Sequence, residues 1–223
     1  MAFIKMNYSF RKKNKIVKFI ILHYTGMADL KSAYKKLSSL NSNVSCHYLI
    51  SRNGIIYNLL CPKIKAWHAG LSEWKNLSNL NDYSLGIELE NKGHEFGYNN
   101  FTNKQYSSLK KLLFFLCSNH FIKFEDIIYH SDISPNRKKD PGEKFFIEKA
   151  GIKKKKFDYS TKFSVRKLLS IYGFSKNQIN LHKDDCIKSV KRSLNYKIIN
   201  SNISDRFEKN FYNLLINKKD IKY

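Results

Sequence analysis

Apolar residues along the first 150 positions switch between two periods, and each switch marks an element. Lys15–His23 is a β-branched and aromatic run of the kind that fills a buried strand, and it closes on the polar group His23-Tyr24-Thr25 before Gly26. Asp29–Leu40 then carries Ala33, Leu37 and Leu40 at helical spacing. His47–Ser51 and Ile55–Leu60 flank Arg52-Asn53-Gly54, and an Asn-Gly between apolar runs predicts a hairpin. Leu85–Leu89 reads as another strand. Thr102 and Gln105 have the spacing of a capping box, ahead of a helix with Tyr106, Leu109, Leu113 and Leu116 on one face. Asp126–His130 reads as a further strand, followed by the loop Ser131–Gly142. Strands alternating with helices predict an α/β domain over residues 1–150, with a central mixed β-sheet flanked by helices.

The pattern breaks over residues 151–162. Gly151 precedes the run Lys153–Lys156 and then Asp158-Tyr159-Ser160, which suits a solvated basic linker. Residues 163–223 predict a small all-helical domain. Ser164 caps a helix presenting Val165, Leu168, Leu169 and Tyr172, with Gly173 just past its end. A second helix is predicted over Lys183–Leu194 and a third over Asp205–Asn217, the latter presenting Phe207, Phe211, Leu214 and Leu215.

At 223 residues the chain can bury a substantial core, and 42% apolar with 14% aromatic residues excludes a disordered composition. The charge is lopsided: 41 Lys and Arg against 18 Asp and Glu, a net +23. Such a surface draws acidic ligands over about a Debye length, ~8 Å at physiological salt. Nucleic-acid binding is therefore one function class to weigh. The lysines stand beside asparagines rather than among stacking aromatics, however, and no DNA-reading helix is legible, so no nucleic-acid partner is expected. A Lys-, Asn- and Ile-rich usage is equally what an AT-rich genome produces. Cys46, Cys61, Cys117 and Cys186 form no C-x-x-C pair, which argues against a cysteine zinc cluster and against a disulfide scaffold. No 18-residue apolar run exists, so no transmembrane segment is expected. The run Ile16–Leu22 is broken by Lys18 and reads as a core strand rather than a signal peptide. That favours a cytoplasmic location, with periplasmic or secreted action as the other possibility.

The chemistry gathers at strand ends. His23 closes the first strand, His130 closes a later one, and Asp140 follows in an irregular loop. Side chains at the ends of neighbouring strands converge on one rim of a sheet. Two imidazoles and one carboxylate are three of the four ligands a catalytic zinc takes, leaving a position for water. By spacing alone, each histidine is more often a surface or packing residue than a ligand.

Five blocks in order add to this. They are Ile21-Leu22-His23-Tyr24-Thr25, Val44–Ile50, Ala66-Trp67-His68-Ala69-Gly70, Asn81–Glu90 with Leu85-Gly86-Ile87-Glu88, and His130–Gly142 with Arg137-Lys138-Lys139-Asp140-Pro141-Gly142. Together they resemble the type 2 N-acetylmuramoyl-L-alanine amidases over roughly residues 16–150. That family includes AmpD, AmiD, phage T7 lysozyme and the peptidoglycan recognition proteins, and the pattern is nearest AmpD and AmiD. The resemblance implies a zinc enzyme that hydrolyses the amide between N-acetylmuramic (or anhydromuramic) acid and L-alanine of peptidoglycan or muropeptides. It implies one Zn2+ per chain held by His23, His130 and Asp140, a catalytic carboxylate at Glu88 and a catalytic lysine at Lys138. Zinc would polarise the amide carbonyl and lower the pKa of water. Glu88 would move the proton from water to the leaving nitrogen, and Lys138 would face the charge growing on the carbonyl oxygen.

Bland readings stand beside these. Glu90 shares a strand face with Glu88 and competes for the base role, although the family pattern selects Glu88. Lys138 also belongs to a basic run that solvent alone would satisfy. Tyr24, His47, Trp67 and His68 are candidate substrate contacts, with packing roles as the alternative for His47, Trp67 and His68. His94, His120 and His182 match no motif. The C-terminal segment resembles, in Leu168–Phe174, the peptidoglycan-binding module that follows the AmiD catalytic domain. It lacks that module's aromatic-Gln run, so a stabilising helical cap is the other reading. The rival function is a non-catalytic peptidoglycan-binding or recognition protein; such proteins commonly lack a zinc ligand, and here all three positions hold competent residues.

Overall fold

The computed structural model describes residues 7–152 and 163–211. Most of the predicted basic linker, and residues 212–217 of the third predicted C-terminal helix, lie outside the described residues. The strands are β1 (Tyr8–Phe10), β2 (Phe19–Tyr24), β3 (Tyr48–Ile50), β4 (Ile56–Asn58), β5 (Ile64–Ala66), β6 (Glu73–Trp74), β7 (Leu77–Ser78), β8 (Ser84–Leu89) and β9 (Ile127–Tyr129). The α-helices are α1 (Leu30–Leu37), α2 (Asn103–His120), α3 (His130–Ile133), α4 (Val165–Tyr172), α5 (Lys176–Leu181) and α6 (Lys183–Ser193), with residues 205–211 also helical.

Five strands make the central sheet in the order β4-β3-β8-β2-β9, with β3, β8, β2 and β9 mutually parallel and β4 antiparallel at the edge. The sheet is mixed and flanked by helices, as the alternating pattern predicts. The Asn-Gly hairpin forms between β3 and β4. The capping box also forms: Thr102 Oγ1 accepts from the Gln105 N–H at 3.1 Å and Gln105 Oε1 accepts from the Thr102 N–H at 3.0 Å. β1, β5, the β6–β7 hairpin and α5 are elements too short to leave a period in the sequence. The loop expected from Ser131 begins instead as α3, because Asp132 Oδ2 accepts the Tyr129 N–H at 3.0 Å and starts a helical turn where the strand ends.

Alternate side chains of β2 divide between two cores. Ile20 and Leu22, with Leu85, Ile87 and Leu89 of β8, pack under the apolar face of α2. Phe19 and Ile21 face the other way, into a cluster that contains Trp74, Ile128 and Ile133 together with Leu168, Leu169, Tyr172, Ile187, Val190 and Phe207. The C-terminal helices therefore share a core with the sheet. Asp132 ties them further, accepting from Tyr172 Oη at 3.1 Å and from Ser189 Oγ at 2.8 Å. Among the described residues no helix is long and apolar enough to cross a membrane, and all four cysteines are free.

Trp74 tests that shared core. It is fully buried and stands edge-on to Tyr172 and Phe174, at 5.2 and 5.4 Å between ring centroids. Trp74→Ala is expected to cost ~3–5 kcal/mol of stability in denaturant titrations. Limited proteolysis of the variant should then reach residues 163–211 first. A loss below ~1 kcal/mol would contradict a common core.

Candidate active site

The register of the parallel sheet builds the site. β2 and β8 run side by side with Phe19, Ile21 and His23 paired to Ser84, Gly86 and Glu88, so His23 and Glu88 end up as neighbours on one face at the carboxyl rim. β9, on the other side of β2, delivers His130 at the start of α3. The segment after α3 doubles back: the Ser134 carbonyl accepts from the N–H groups of Arg137 and Lys138, and the Asp140 carbonyl accepts from the Ser131 N–H at 3.0 Å. That stitch brings the Asp140 carboxylate onto the two imidazoles.

Three ligand-type atoms converge there, all from buried residues. His23 Nδ1 lies 2.9 Å from His130 Nδ1 and 3.0 Å from Asp140 Oδ2, and His130 Nδ1 lies 2.9 Å from the same oxygen. Burial pushes the His23 imidazole down to a pKa of about 4, with His130 adding to the effect and Asp140 opposing it. Burial alone would raise the Asp140 carboxyl, but the charge and hydrogen bonds of His130 and His23 outweigh it and hold the group far below the usual carboxylate range. His130 Nε2 stands 3.2 Å from the Ala69 carbonyl, which can only accept, so Nε2 carries a proton and Nδ1 is the ring atom left to a metal. Two imidazole nitrogens and an ionised carboxylate this close together form a set that could hold a cation. Two nitrogens and one oxygen suit a borderline divalent metal.

This His-His-Asp group opens into a cleft of about 350 Å³, lined also by Tyr24, Lys36, Glu88, His94 and Lys138. Glu88 Oε2 is buried and has no hydrogen-bond partner among the described residues. Burial raises the Glu88 pKa well above the usual carboxylate value; Asp140 raises it further, and Lys138 and Lys36 pull it down. A carboxylate of that kind is a proton acceptor without a competing partner. Lys138 is half-buried on the same wall.

The sequence-derived residues separate here. His23, His130, Asp140, Glu88, Lys138, Tyr24 and His68 all line the cleft. His47 and Trp67 are not on its wall. His47 is fully buried, its Nδ1 accepting from the Gly86 N–H at 2.9 Å and its Nε2 lying 3.0 Å from the Ile64 carbonyl, so it joins strands. Trp67 Nε1 donates to Ser9 Oγ at 3.0 Å, turning its ring toward β1. Glu90 is not a second base: β8 has ended, and Glu90 Oε2 accepts the Arg52 N–H at 2.7 Å beside the β3–β4 turn.

His94, which matches no motif, is a wall residue. Its Nδ1 lies 3.0 Å from Tyr24 Oη and its Nε2 3.2 Å from Glu143 Oε2, and its ring stacks on Tyr98. A sequence signal did exist in the preceding Gly93. It holds φ +71°, and a Cβ there would come within 2.5 Å of the Tyr24 ring, so only glycine lets this loop close over Tyr24.

Comparison with known proteins identifies the family. A family model described as N-acetylmuramoyl-L-alanine amidase matches residues 12–143. The N-acetylmuramoyl-L-alanine amidase AmiD of Escherichia coli is 36% identical over 141 residues, 58% of this chain and 50% of AmiD. The 1,6-anhydro-N-acetylmuramyl-L-alanine amidase AmpD of Haemophilus influenzae is 40% identical over 107 residues, 48% of this chain and 56% of AmpD. The chain thus spans about half the length of these curated relatives. Among solved structures, E. coli AmiD in complex with the substrate anhydro-N-acetylmuramic acid-L-Ala-D-gamma-Glu-L-Lys superposes with a TM-score of 0.72 at 26% identity, covering 90% of this chain and 89% of that one. AmpDh3 of Pseudomonas aeruginosa gives 0.76 at 26% identity, covering 96% and 98%. The family match covers more than half of the chain, and the relatives it resembles in sequence and in structure are of the AmpD and AmiD kind. This chain belongs to the N-acetylmuramoyl-L-alanine amidase family.

Proposed function

We propose that the chain is a zinc-dependent amidase that hydrolyses the amide between N-acetylmuramic or anhydromuramic acid and the L-alanine of peptidoglycan or muropeptides. The observation that carries this reading is the buried convergence of His23 Nδ1, His130 Nδ1 and Asp140 Oδ2 at the floor of a cleft that also holds an unpartnered Glu88 oxygen. Two related proteins support the substrate class: AmiD, whose structure holds an anhydromuramoyl peptide, and AmpD, whose name specifies the same bond.

His23, His130 and Asp140 would hold the zinc. When bound, zinc supplies Lewis acidity toward a carbonyl oxygen and toward water. Glu88 takes the proton of the attacking water and returns it to the alanine nitrogen as the amide breaks, so the leaving group departs as a neutral amine. Lys138, on the cleft wall, faces the negative charge that grows on the carbonyl oxygen. Lys138→Ala is expected to lower kcat on the order of 10²-fold, with KM changed much less, because the charge it meets exists only in the transition state. Equal losses in kcat and in substrate binding would make it a binding residue instead.

Lys36, Lys92 and Lys139 are exposed residues that also line the cleft. They suit the carboxylates of a stem peptide, and kcat/KM for an anionic muropeptide is accordingly expected to fall as salt is raised. Rates indifferent to ionic strength would remove that role. The deciding experiment for the whole reading is mass spectrometry of muropeptide digests with and without a chelator. Free stem peptide plus unsubstituted glycan, lost on chelation, is the expected result; binding without release of stem peptide would leave only a recognition protein.

A further inference from the structure

Ser84, Gly86 and Glu88 alternate along the face of β8 that meets His23. The imidazole of His68 lies over this face at Gly86, so closely that a Cβ on Gly86 would stand 2.5 Å from the ring. Asn81 Oδ1 accepts both the His68 N–H at 3.0 Å and the Ala69 N–H at 2.8 Å, pinning the two residues in place. The ring is buried, and among the described residues its hydrogen-bond partners are His23 and Ser84.

Proton positions along this row follow from one fixed end. Ser84 Oγ is 2.6 Å from the Leu80 carbonyl, which can only accept, so the serine hydrogen is committed there. The Ser84 oxygen is then an acceptor, and His68 Nε2, 3.3 Å away, is the donor. A neutral imidazole has a single N–H, which leaves a lone pair on His68 Nδ1. That atom faces His23 Nε2 at 3.0 Å. His23 therefore donates from Nε2, which leaves Nδ1, the atom that faces His130 and Asp140, to bind the metal. His130 is set in the same sense by the adjoining residue, through the Ala69 carbonyl.

We infer that His68 is a positioning residue for the metal centre, fixing His23 in the tautomer that presents Nδ1, and that the pair His68-Ala69, clamped by Asn81, orients both imidazole ligands. This rests on the proposed zinc reading. The resemblance suggested substrate contact or packing for His68; the hydrogen-bond row assigns it to the ligand instead. Partners of this kind typically change metal affinity by 10–100-fold.

The test uses the full chain and zinc itself. Zinc affinity is measured by chelator competition for the native chain, His68→Phe, His68→Gln and Ser84→Ala, with thermal midpoints of the metal-free forms as a folding check. Phenylalanine keeps the ring over Gly86 but accepts nothing, and affinity should fall roughly 10–100-fold. Glutamine can accept from His23 and donate to Ser84, and it should restore most of the loss. Ser84→Ala frees the His68 tautomer and should fall between the two. Independently of any variant, ring 15N NMR of the native zinc-loaded chain should find the His23 proton on Nε2. Native affinity in His68→Phe, equal weakness in the Phe and Gln variants, or a His23 proton on Nδ1 each overturns the inference. A native chain that binds no zinc would overturn the metal reading itself, which is a separate and recognisable result.

Discussion

Glu88→Gln is expected to reduce kcat for cleavage of a muramoyl-L-alanine amide by roughly 10²–10⁴-fold, the usual contribution of a positioned general base. Glutamine keeps the size of the side chain and cannot take up a proton. The substitution leaves His23, His130 and Asp140 untouched, so zinc affinity and KM should stay near those of the native chain. Steady-state release of stem peptide, followed chromatographically, reads the effect. The expectation draws on two features: the Glu88 oxygen inside the cleft has no partner to compete for its lone pairs, and β8 holds it in register with His23. Activity within a few-fold of native would move the base role elsewhere on the cleft wall, with the His94–Tyr24 pair the next group to test.

Asp140→Asn is expected to be more severe. The carboxylate is the one acidic member of the His23-His130-Asp140 group, contacting both imidazoles at 2.9–3.0 Å. Its amide replacement leaves two neutral nitrogens and a weak oxygen donor for a doubly charged ion. Loss of the metal's several kcal/mol of transition-state stabilisation corresponds to roughly 10³-fold or more in rate. A physical readout accompanies the kinetic one. Binding to the folded state alone stabilises by about 4 kcal/mol when zinc is present at a thousand times its Kd. The native chain should therefore melt at a higher temperature with zinc than with chelator, and the Asp140→Asn chain should melt alike in both. A variant that keeps both its zinc-dependent melting and its activity would remove Asp140 from the ligand set.

Motif residues were the most legible part of the molecule. His23, His130, Asp140, Glu88 and Lys138 stand at recognisable places in the chain, and the fold brings all five to one cleft. The periodicity that placed Glu88 also misled on Glu90, since period 2 puts both on one face. The strand stops at Leu89, and a backbone N–H from the β3–β4 turn captures the Glu90 carboxylate. His47 and Trp67 were drawn toward the site by lying in the right blocks. Block membership says which segment passes near a site, whereas the direction of a side chain depends on what its neighbours offer. For His47 these are the Gly86 N–H and the Ile64 carbonyl, both far along the chain.

The sequence by itself determined the longer strands and helices, the mixed sheet and the identities of the ligand-type residues, because periodicity, caps and turn residues act over a few neighbours. Tertiary structure alone decided three things. It packed the C-terminal helices against Phe19, Ile21 and Trp74 in one core. It put His94 on the cleft wall through Gly93. It also set the His68 ring against His23. Each of these joins groups many residues apart, and which distant groups meet is set by sheet register and packing, which no local pattern encodes.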